Sequence, residues 1–309
     1  MLPQPLFLAL QELTQKYSLE DLKKNALSVS DVYRNAPRDG KRLVSDELSV
    51  ASYALTRMPA TFEVVSDVFK KIPHLNCQTL LDVGAGTGAG TWAALSEGVV
   101  SQVICLEREP EMSSLGQELI GHTYSNVQWL PFDLSVQNIL QKADIVLSSY
   151  VLNELVDAQR KSAIDKMWNA TKQFLVLIDN GTPKAFEMMQ KIRSYLIGKG
   201  GFMVAPCTHM ENCSNAWCHF MTRVARTKIH RILKKGEAPF EDEKFTYLVF
   251  SKKPVKMSSS RVLRHPRIEK GKIDLQLCTA NGIKNEIISK KDGNLFKNAR
   301  KIVAGDAWE

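Results

Sequence analysis

The chain has no apolar run long enough to cross a membrane as a helix. Its start, Met1-Leu2-Pro3-Gln4-Pro5-Leu6-Phe7-Leu8-Ala9-Leu10, carries no basic residue, and Gln11 and Glu12 break the apolar stretch. Neither a signal peptide nor an Arg-rich transit peptide is expected, no membrane partner is implied, and the expected location is cytoplasmic. Thiols stay reduced there, so the six cysteines argue for metal or burial instead of disulfides. No Gly-Lys-Ser/Thr follows the glycine-rich segment, which argues against a P-loop and ATP hydrolysis. No Asn/Asp-Pro-Pro-Tyr tetrad is present to grip an exocyclic amine. No internal repeat and no heptad stripe signal a solenoid or self-association, so the oligomeric state is open.

Acidic residues are scarce toward the C-terminus. From Lys252 to Lys301 there are four (Glu269, Asp274, Glu286, Asp292) against fourteen Lys or Arg, an excess of ten where the whole chain has +8. A second basic run comprises Arg223, Arg226, Lys228, Arg231, Lys234 and Lys235. A phosphate-rich partner such as nucleic acid is the physical reading. The plainer one is a solvated basic surface that aids solubility. The 309 residues, 44% of them apolar, suffice for one large domain or two modest ones.

Residues 1–73 read as helical. Leu6, Leu10, Leu13 and Tyr17 recur at helical spacing, Leu22, Leu27 and Val32 more loosely, and Ser45-Asp46-Glu47-Leu48 suits the cap of a helix that Pro73 ends. From 74 to 254 short apolar runs (Thr79–Val83, Val103–Glu107, Val127–Pro131, Ile145–Ser149, Phe174–Ile178) alternate with helical stretches (Gly90–Ser96, Glu111–Ile120, Val136–Gln141, Ala158–Ala170, Pro183–Ile197). This alternation predicts an α/β, Rossmann-like doubly wound sheet of the class I methyltransferase kind. Phe245–Phe250 is a late strand that closes the sheet, preceded by a cysteine-rich insertion at about 200–240. Residues 255–309 read as a small basic β-rich extension, with turns at Asn281-Gly282 and Asp292-Gly293.

Asp82-Val83-Gly84-Ala85-Gly86-Thr87-Gly88 follows the first strand. Gly84 and Gly86 permit a sharp turn close to a ligand, and Gly88 permits close packing at a helix start. Asp82 can orient the loop or reach a methionine moiety through water. Glu107 ends the next strand, 19 residues beyond Gly88, where a carboxylate accepts both ribose hydroxyls. Asp133, after the third strand, stands where adenine contacts arise. S-adenosylmethionine (SAM) is the preferred cofactor over a nicotinamide dinucleotide or an empty loop. Methyl transfer needs chiefly alignment, so no catalytic residue is assigned; Asn153 and Glu154 are acceptor-side candidates, with capping or packing an equal reading.

Cys207, Cys213 and Cys218 are spaced C-x5-C-x4-C, which is not a stock zinc pattern. His209, His219 and Cys278 are candidate fourth ligands, and an iron–sulfur cluster, zinc and unliganded thiols all remain open. Pro206-Cys207 is similar to the nucleophile motif of cytosine-C5 enzymes but falls after the fifth strand, so a nucleophilic role is discounted. Cys77 and Cys105 read as buried hydrophobes, His74 and His122 as loop or surface residues.

The chain resembles the methyltransferase-like assembly factors of the mitochondrial small ribosomal subunit and their bacterial relatives. The resemblance runs from Ala54 to the C-terminus through Arg57-Met58-Pro59-Ala60-Thr61, Asp82–Gly88, Val151–Leu155, Ala205–His209, Trp217–Phe220, Lys244–Tyr247, Ala299-Arg300-Lys301, Gly305-Asp306 and Trp308. It implies a [4Fe–4S] cluster on Cys207, Cys213, Cys218 and Cys278, with Cys278 pinning the basic tail to form a surface for rRNA. It also implies a role in ribosome assembly or translation, better supported in the family than any methyl acceptor. A bacterial-type member is expected. The leading expectation is a SAM-binding, iron–sulfur-containing factor acting on small-subunit rRNA. The alternatives are a non-catalytic rRNA-binding scaffold, and a small-molecule or protein methyltransferase with structural zinc.

Overall fold

The computed structural model describes residues 2–35, 46–72, 77–121, 123–213 and 217–309. The expected roles of Ser45, Pro73, His74 and His122 lie outside the described residues.

Three helices come first: α1 (Gln4–Gln15), α2 (Leu19–Asn35) and α3 (Glu47–Lys70). Pro at the start of α1 costs no hydrogen bond, and Leu6, Leu10 and Leu13 form its buried stripe. In α2 Leu22, Ala26 and Val29 are buried and Leu27, of the expected Leu22, Leu27 and Val32, is exposed; the side chain of Val32 lies outside the described residues. Asp46 caps α3 by accepting from the Ser49 N–H at 2.8 Å. α3 is buried almost all round, as its composition of Val, Ala, Leu, Met and Phe requires.

There follow β1 (Thr79–Val83), α4 (Ala89–Ser96), β2 (Gln102–Glu107), α5 (Pro110–Ile120), β3 (Val127–Pro131), β4 (Ala143–Ser149), α6 (Asp157–Ala170), β5 (Thr171–Asn180), α7 (Pro183–Gly198), β6 (Phe202–Ala205), β7 (Phe220–Ala225), α8 (Lys228–Lys234) and β8 (Phe240–Ser251). The sheet runs β3-β2-β1-β4-β5-β8-β6, with β7 paired to β8. This is the class I methyltransferase order with one extra strand, and the fold is that expected from the alternation of elements. The order reverses between β1 and β4, the switch point beside which such sheets bind ligands. Residues 136–141 are not helical. Val136 and Leu140 are 75% and 85% exposed, so the apolar spacing there has nothing to pack against.

Two compact units are discontinuous in sequence. One comprises 1–69, 74–172 and 222–243, the other 70–73, 173–221 and 244–309. In the second, β5 and β8 pair antiparallel from Phe174↔Ser251 to Asn180↔Phe245, and β6 takes the far edge of β8. Phe174–Ile178 and Phe245–Phe250 are buried throughout, which is why both read as continuous apolar runs. The same unit holds a five-stranded sheet: β9 (Ser260–Val262), β10 (Arg267–Glu269), β11 (Lys272–Thr279), β12 (Gly282–Ser289) and β13 (Ala307–Trp308), with α9 (Asn294–Ala299). Val262, Ile273, Leu275, Leu277, Ile288, Ala299 and Trp308 form its core. Asn281-Gly282 is the expected hairpin turn between β11 and β12. Asp292-Gly293 is not a hairpin. Asp292 accepts from the Ser289 N–H at 2.6 Å, and this capping box starts a 3-10 turn that leads into α9. Among the described residues no helix is long and apolar enough to cross a membrane.

Candidate functional site

The glycine loop leaves β1 through Gly84 (φ +72°), Gly86 (φ +56°) and Gly88 (φ +84°), all in the left-handed region that favours glycine. The Gly84 and Ala85 N–H groups donate to the Leu106 carbonyl at 2.8 and 3.2 Å, so β2 holds the loop. A side chain at Gly84 would run into Val151, and one at Gly90 would meet Leu147 at 2.6 Å and Asp82 at 3.0 Å. A side chain at Gly86 would meet nothing within 4 Å. The loop is thus closed on the Val151 side and open at Gly86.

Asp82 is 1% exposed. Its Oδ2 accepts from Thr91 Oγ1 at 2.8 Å, while Oδ1 is buried without a partner. Burial pushes this carboxyl up to about 7, against the hydrogen bond from Thr91. Glu107 is also raised by burial, less so because backbone N–H groups hold its charged form. Its Oε2 accepts from Gly86 N at 2.7 Å, and its Oε1 from Arg108 N at 2.7 Å and Glu109 N at 2.9 Å. A carboxylate offers about four acceptor positions. Asp133 spends Oδ1 on the Ser135 N–H (2.8 Å) and hydroxyl (2.5 Å).

Beyond β4 the chain turns at Tyr150, whose φ of +62° is an outlier for an aromatic residue. Asn153 and Glu154 follow on a 3-10 turn. The Asn153 amide donates to the Tyr150 carbonyl at 3.2 Å, and Arg160 donates to the carbonyls of Leu152 (2.8 Å) and Leu155 (2.7 Å). Arg57 of α3 lies 5.8 Å from the Tyr150 ring centre and donates to Glu243 at 3.0 Å. Burial pushes the Tyr53 phenol up to about 12, with Arg57 opposing and Glu154 and Glu107 adding to the rise. Arg57 belongs to a motif that carries the resemblance; Tyr53 and Tyr150 beside it carry no signal in the sequence.

Cys207, Cys213, Cys218 and Cys278 all belong to the second unit, and none is in a disulfide. They lie within electrostatic reach of one another. Burial pushes Cys207 up to about 11; Arg193 lowers it, while Cys213 and Cys278 raise it. Cys218 is raised by burial and by the other three thiols, and Cys278 by burial and Cys213. Thr208 Oγ1 is 3.9 Å from Cys278 Sγ. Among the described residues no three His, Cys, Asp or Glu stand close enough to hold a single metal ion. His219 is stacked on Trp217 (centroids 4.1 Å apart), and burial beside Arg264 and Lys244 lowers it to about 4. Cys77 and Cys105 are buried, and Thr91 Oγ1 is 3.1 Å from Cys105 Sγ.

Half of the second basic run is paired, while Lys228, Arg231 and Lys235 are exposed and meet no carboxylate among the described residues. Arg226 and Lys234 each reach Glu241 at 2.7 Å, and Arg223 reaches Asp242 at 2.9 Å. In the C-terminal extension Arg267 and Lys272 pair with Glu269, Lys284 with Glu286, and Arg261 is buried. Lys290, Lys291, Lys297, Arg300 and Lys301 are exposed, and none of them pairs with a carboxylate among the described residues.

Human "Ribosome assembly protein METTL17, mitochondrial" is 28% identical over 288 residues, 82% of this chain and 61% of that protein. Fission-yeast "Rsm22-cox11 tandem protein 2, mitochondrial" is 21% identical over 360 aligned residues, 95% of this chain and 47% of that protein. The chain therefore spans about half to three fifths of these relatives. Among solved structures, a SAM-dependent methyltransferase from Aquifex aeolicus is similar at a TM-score of 0.44 and 14% identity, covering 67% of this chain and 98% of that one. A magnesium protoporphyrin IX methyltransferase from Synechocystis gives 0.42 and 14%, covering 72% and 91%. Likenesses this distant add nothing to the fold, which rests on strand order. The expectation of a bacterial-type, cytoplasmic protein is corrected, because the curated relatives are all named as mitochondrial. Residues 47–309 match the family described as "Mitochondrial small ribosomal subunit Rsm22", and the chain belongs to that family.

Proposed function

We propose that this chain binds SAM at the glycine loop, holds an iron–sulfur cluster on Cys207, Cys213, Cys218 and Cys278, and acts on small-subunit rRNA in ribosome assembly. One observation carries this reading. Four thiols from the segment after β6 and from β11 lie within electrostatic reach of one another in the unit that bears the basic C-terminal extension. They are near enough to feel each other's charge. Four cysteines, the last of them remote in sequence, are the ligand set that iron–sulfur clusters favour. The names of the relatives supply the ribosomal setting.

The loop also fits SAM. The unpartnered Asp82 Oδ1 is an acceptor for a donor at the methionine end, directly or through water. Glu107 has roughly one acceptor position left for a ribose hydroxyl, and releasing the Gly86 N–H, in the open part of the loop, frees another. Asp133 keeps Oδ2 for the adenine side. Bound SAM supplies an electrophilic methyl group; the protein's part is to align it and exclude water.

A second reading, an rRNA-binding scaffold without methyl transfer, is favoured by Asn153, whose amide is committed to its own turn. The test is iron and acid-labile sulfide per chain after anaerobic purification, followed by binding to isolated small subunits. About four of each is expected for a four-cysteine cubane cluster. Cys278→Ser should lose the cluster and weaken subunit binding. Zinc without sulfide would sink the cluster assignment. Incorporation of labelled methyl groups into precursor subunits separates enzyme from scaffold.

A further inference from the structure

Arg193 is a buried charge without an ordinary partner. It is 1% exposed and sits on the buried stripe of α7 with Phe186, Met189 and Leu196. No carboxylate meets it among the described residues. Its Nη2 donates to the His209 carbonyl at 2.7 Å, its guanidinium hydrogen-bonds the Cys207 thiol, and its Nε is buried without a partner. Arg261 on β9 repeats the arrangement. It is 3% exposed and donates to the carbonyls of Pro206 (2.5 Å) and Gly305 (2.8 Å), again with no carboxylate. Its register partner on β11 is Cys278. The more exposed Arg264 donates to the His219 carbonyl at 3.1 Å. Three arginines thus hold carbonyls of residues that flank Cys207 and Cys218.

A guanidinium buried without an anion is strongly destabilising. Hydrogen bonds to carbonyls orient it but leave its charge uncompensated. The groups nearby that become anionic on binding metal are the cysteine sulfurs.

We propose that Arg193 and Arg261 are the charge-balancing residues of the four-cysteine centre, retaining its cluster and raising its reduction potential. This rests on the cluster reading above. A cubane cluster on four thiolates is anionic, and gains one more negative charge on one-electron reduction. Fixed positive charge and hydrogen bonds to sulfur therefore favour the reduced form. Arg193 acts on Cys207 from α7, and Arg261 lies beside Cys278 on the β9–β11 pair. Together they span the ligand segment and the strand that carries the fourth ligand. Both are positioning residues and neither is a ligand.

The experiment compares wild type, Arg193→Gln and Arg193→Lys, each full-length and anaerobically reconstituted with ferrous iron and sulfide. Iron and sulfide per chain, the rate of cluster loss to a chelator, and the midpoint potential (dithionite titration followed by electron paramagnetic resonance) are read. In Arg193→Gln the potential should move negative and the cluster should be lost several-fold faster. Arg193→Lys keeps the charge and should keep the wild-type potential. A full cluster at unchanged potential in Arg193→Gln overturns the inference and leaves the cluster reading intact. Should the Gln variant fail to fold, a negative shift in Arg193→Lys, with its charge kept, overturns it too. Zinc without sulfide in the wild type overturns the cluster reading, and this inference with it.

Discussion

Asp82→Asn is the most informative single change. The carboxyl is buried at the end of β1 with Oδ1 unpartnered, and burial moves it from an ordinary 3.8 up to about 7. A carboxyl raised by folding favours the native state while it is protonated. That contribution is full below about pH 3.8 and is lost as the pH rises through about 7. The whole difference is on the order of 4 kcal/mol, of which roughly 2.5 kcal/mol falls between pH 5 and pH 8. For a chain of this size that is about 5 °C in melting temperature. Asparagine has the same shape, can still accept from Thr91, and does not titrate. The assay is thermal unfolding of SAM-free protein at pH 5, 6, 7 and 8, wild type against Asp82→Asn. The wild type should lose ground to the variant by about 5 °C across that range. Glu107 raises Asp82 and Asp82 raises Cys105, so the difference reports Asp82 together with its coupling to these two groups. Parallel profiles would show that water reaches Oδ1 or that the carboxylate has a partner, and would remove the argument that its second oxygen awaits a ligand.

Gly84→Ala should cost about 1–3 kcal/mol in denaturant unfolding and abolish SAM binding, because the side chain meets both φ +72° and Val151; Val151→Ala should relieve the clash and only part of the loss. Glu241→Gln should destabilise by about 3 kcal/mol, because it strands Arg226 and Lys234. Burial would raise Glu241, but hydrogen bonds from His230, Lys234 and Arg226 hold it far below the carboxylate range. Its contribution is therefore present above about pH 4.5 and lost on acidification, and acid unfolding of wild type and variant should converge. Lys290→Glu with Lys291→Glu and Lys297→Glu should weaken binding to small-subunit rRNA at any sequence and flatten its salt dependence by about one unit per lost phosphate contact; the same changes at the Glu241-paired Arg226 and Lys234 should act through stability.

The parallel half of the sheet was legible because its strands are short apolar runs stopped by glycine or proline. β1 and β3 have the boundaries that the sequence implies. The glycine loop was legible because its chemistry is local: three positive-φ glycines cannot be concealed by tertiary contacts. Val136–Gln141 misled because apolar spacing describes a helix only when a surface waits for it, and here the side chains meet solvent. Asp292-Gly293 misled because a turn dipeptide does not know that Ser289 three residues before Asp292 makes a capping box. Arg193 could have been found. It sits at i+4 from Met189 and i−3 from Leu196, an arginine on the apolar stripe of an amphipathic helix, and such a placement asks for a buried anion.

Charge was the quantity that sequence counting handled least well, and the correction bears on the proposed interface. Glu241 and Asp242 on β8 take up Arg223, Arg226 and Lys234, so half of a run that reads as a second basic patch is engaged in ion pairs, while Lys228, Arg231 and Lys235 stay exposed. A denser set of exposed, unpaired cations lies between Lys290 and Lys301, just after β12. β12 pairs along its whole length with β11, from Thr279↔Gly282 to Lys272↔Ser289, and Cys278 lies at the turn end of that ladder, opposite the end from which the basic segment follows, so it bears on that segment through the hairpin as a lever. Asp306 at the C-terminal end of the same unit is tied to Lys71 at 3.1 Å, and Trp308 is packed in the small core. The extension is thus fastened at its last residues by an ordinary ion pair and apolar packing, independently of any cluster. On the proposed reading, loss of the cluster frees the Cys278 end of the β11–β12 hairpin and leaves the terminal anchor in place. The basic segment should then lose its fixed orientation while remaining folded, and rRNA affinity should fall without a matching fall in the melting temperature of the small β core. Equal losses of both would mean that the cluster holds the extension together as a fold, not as a surface.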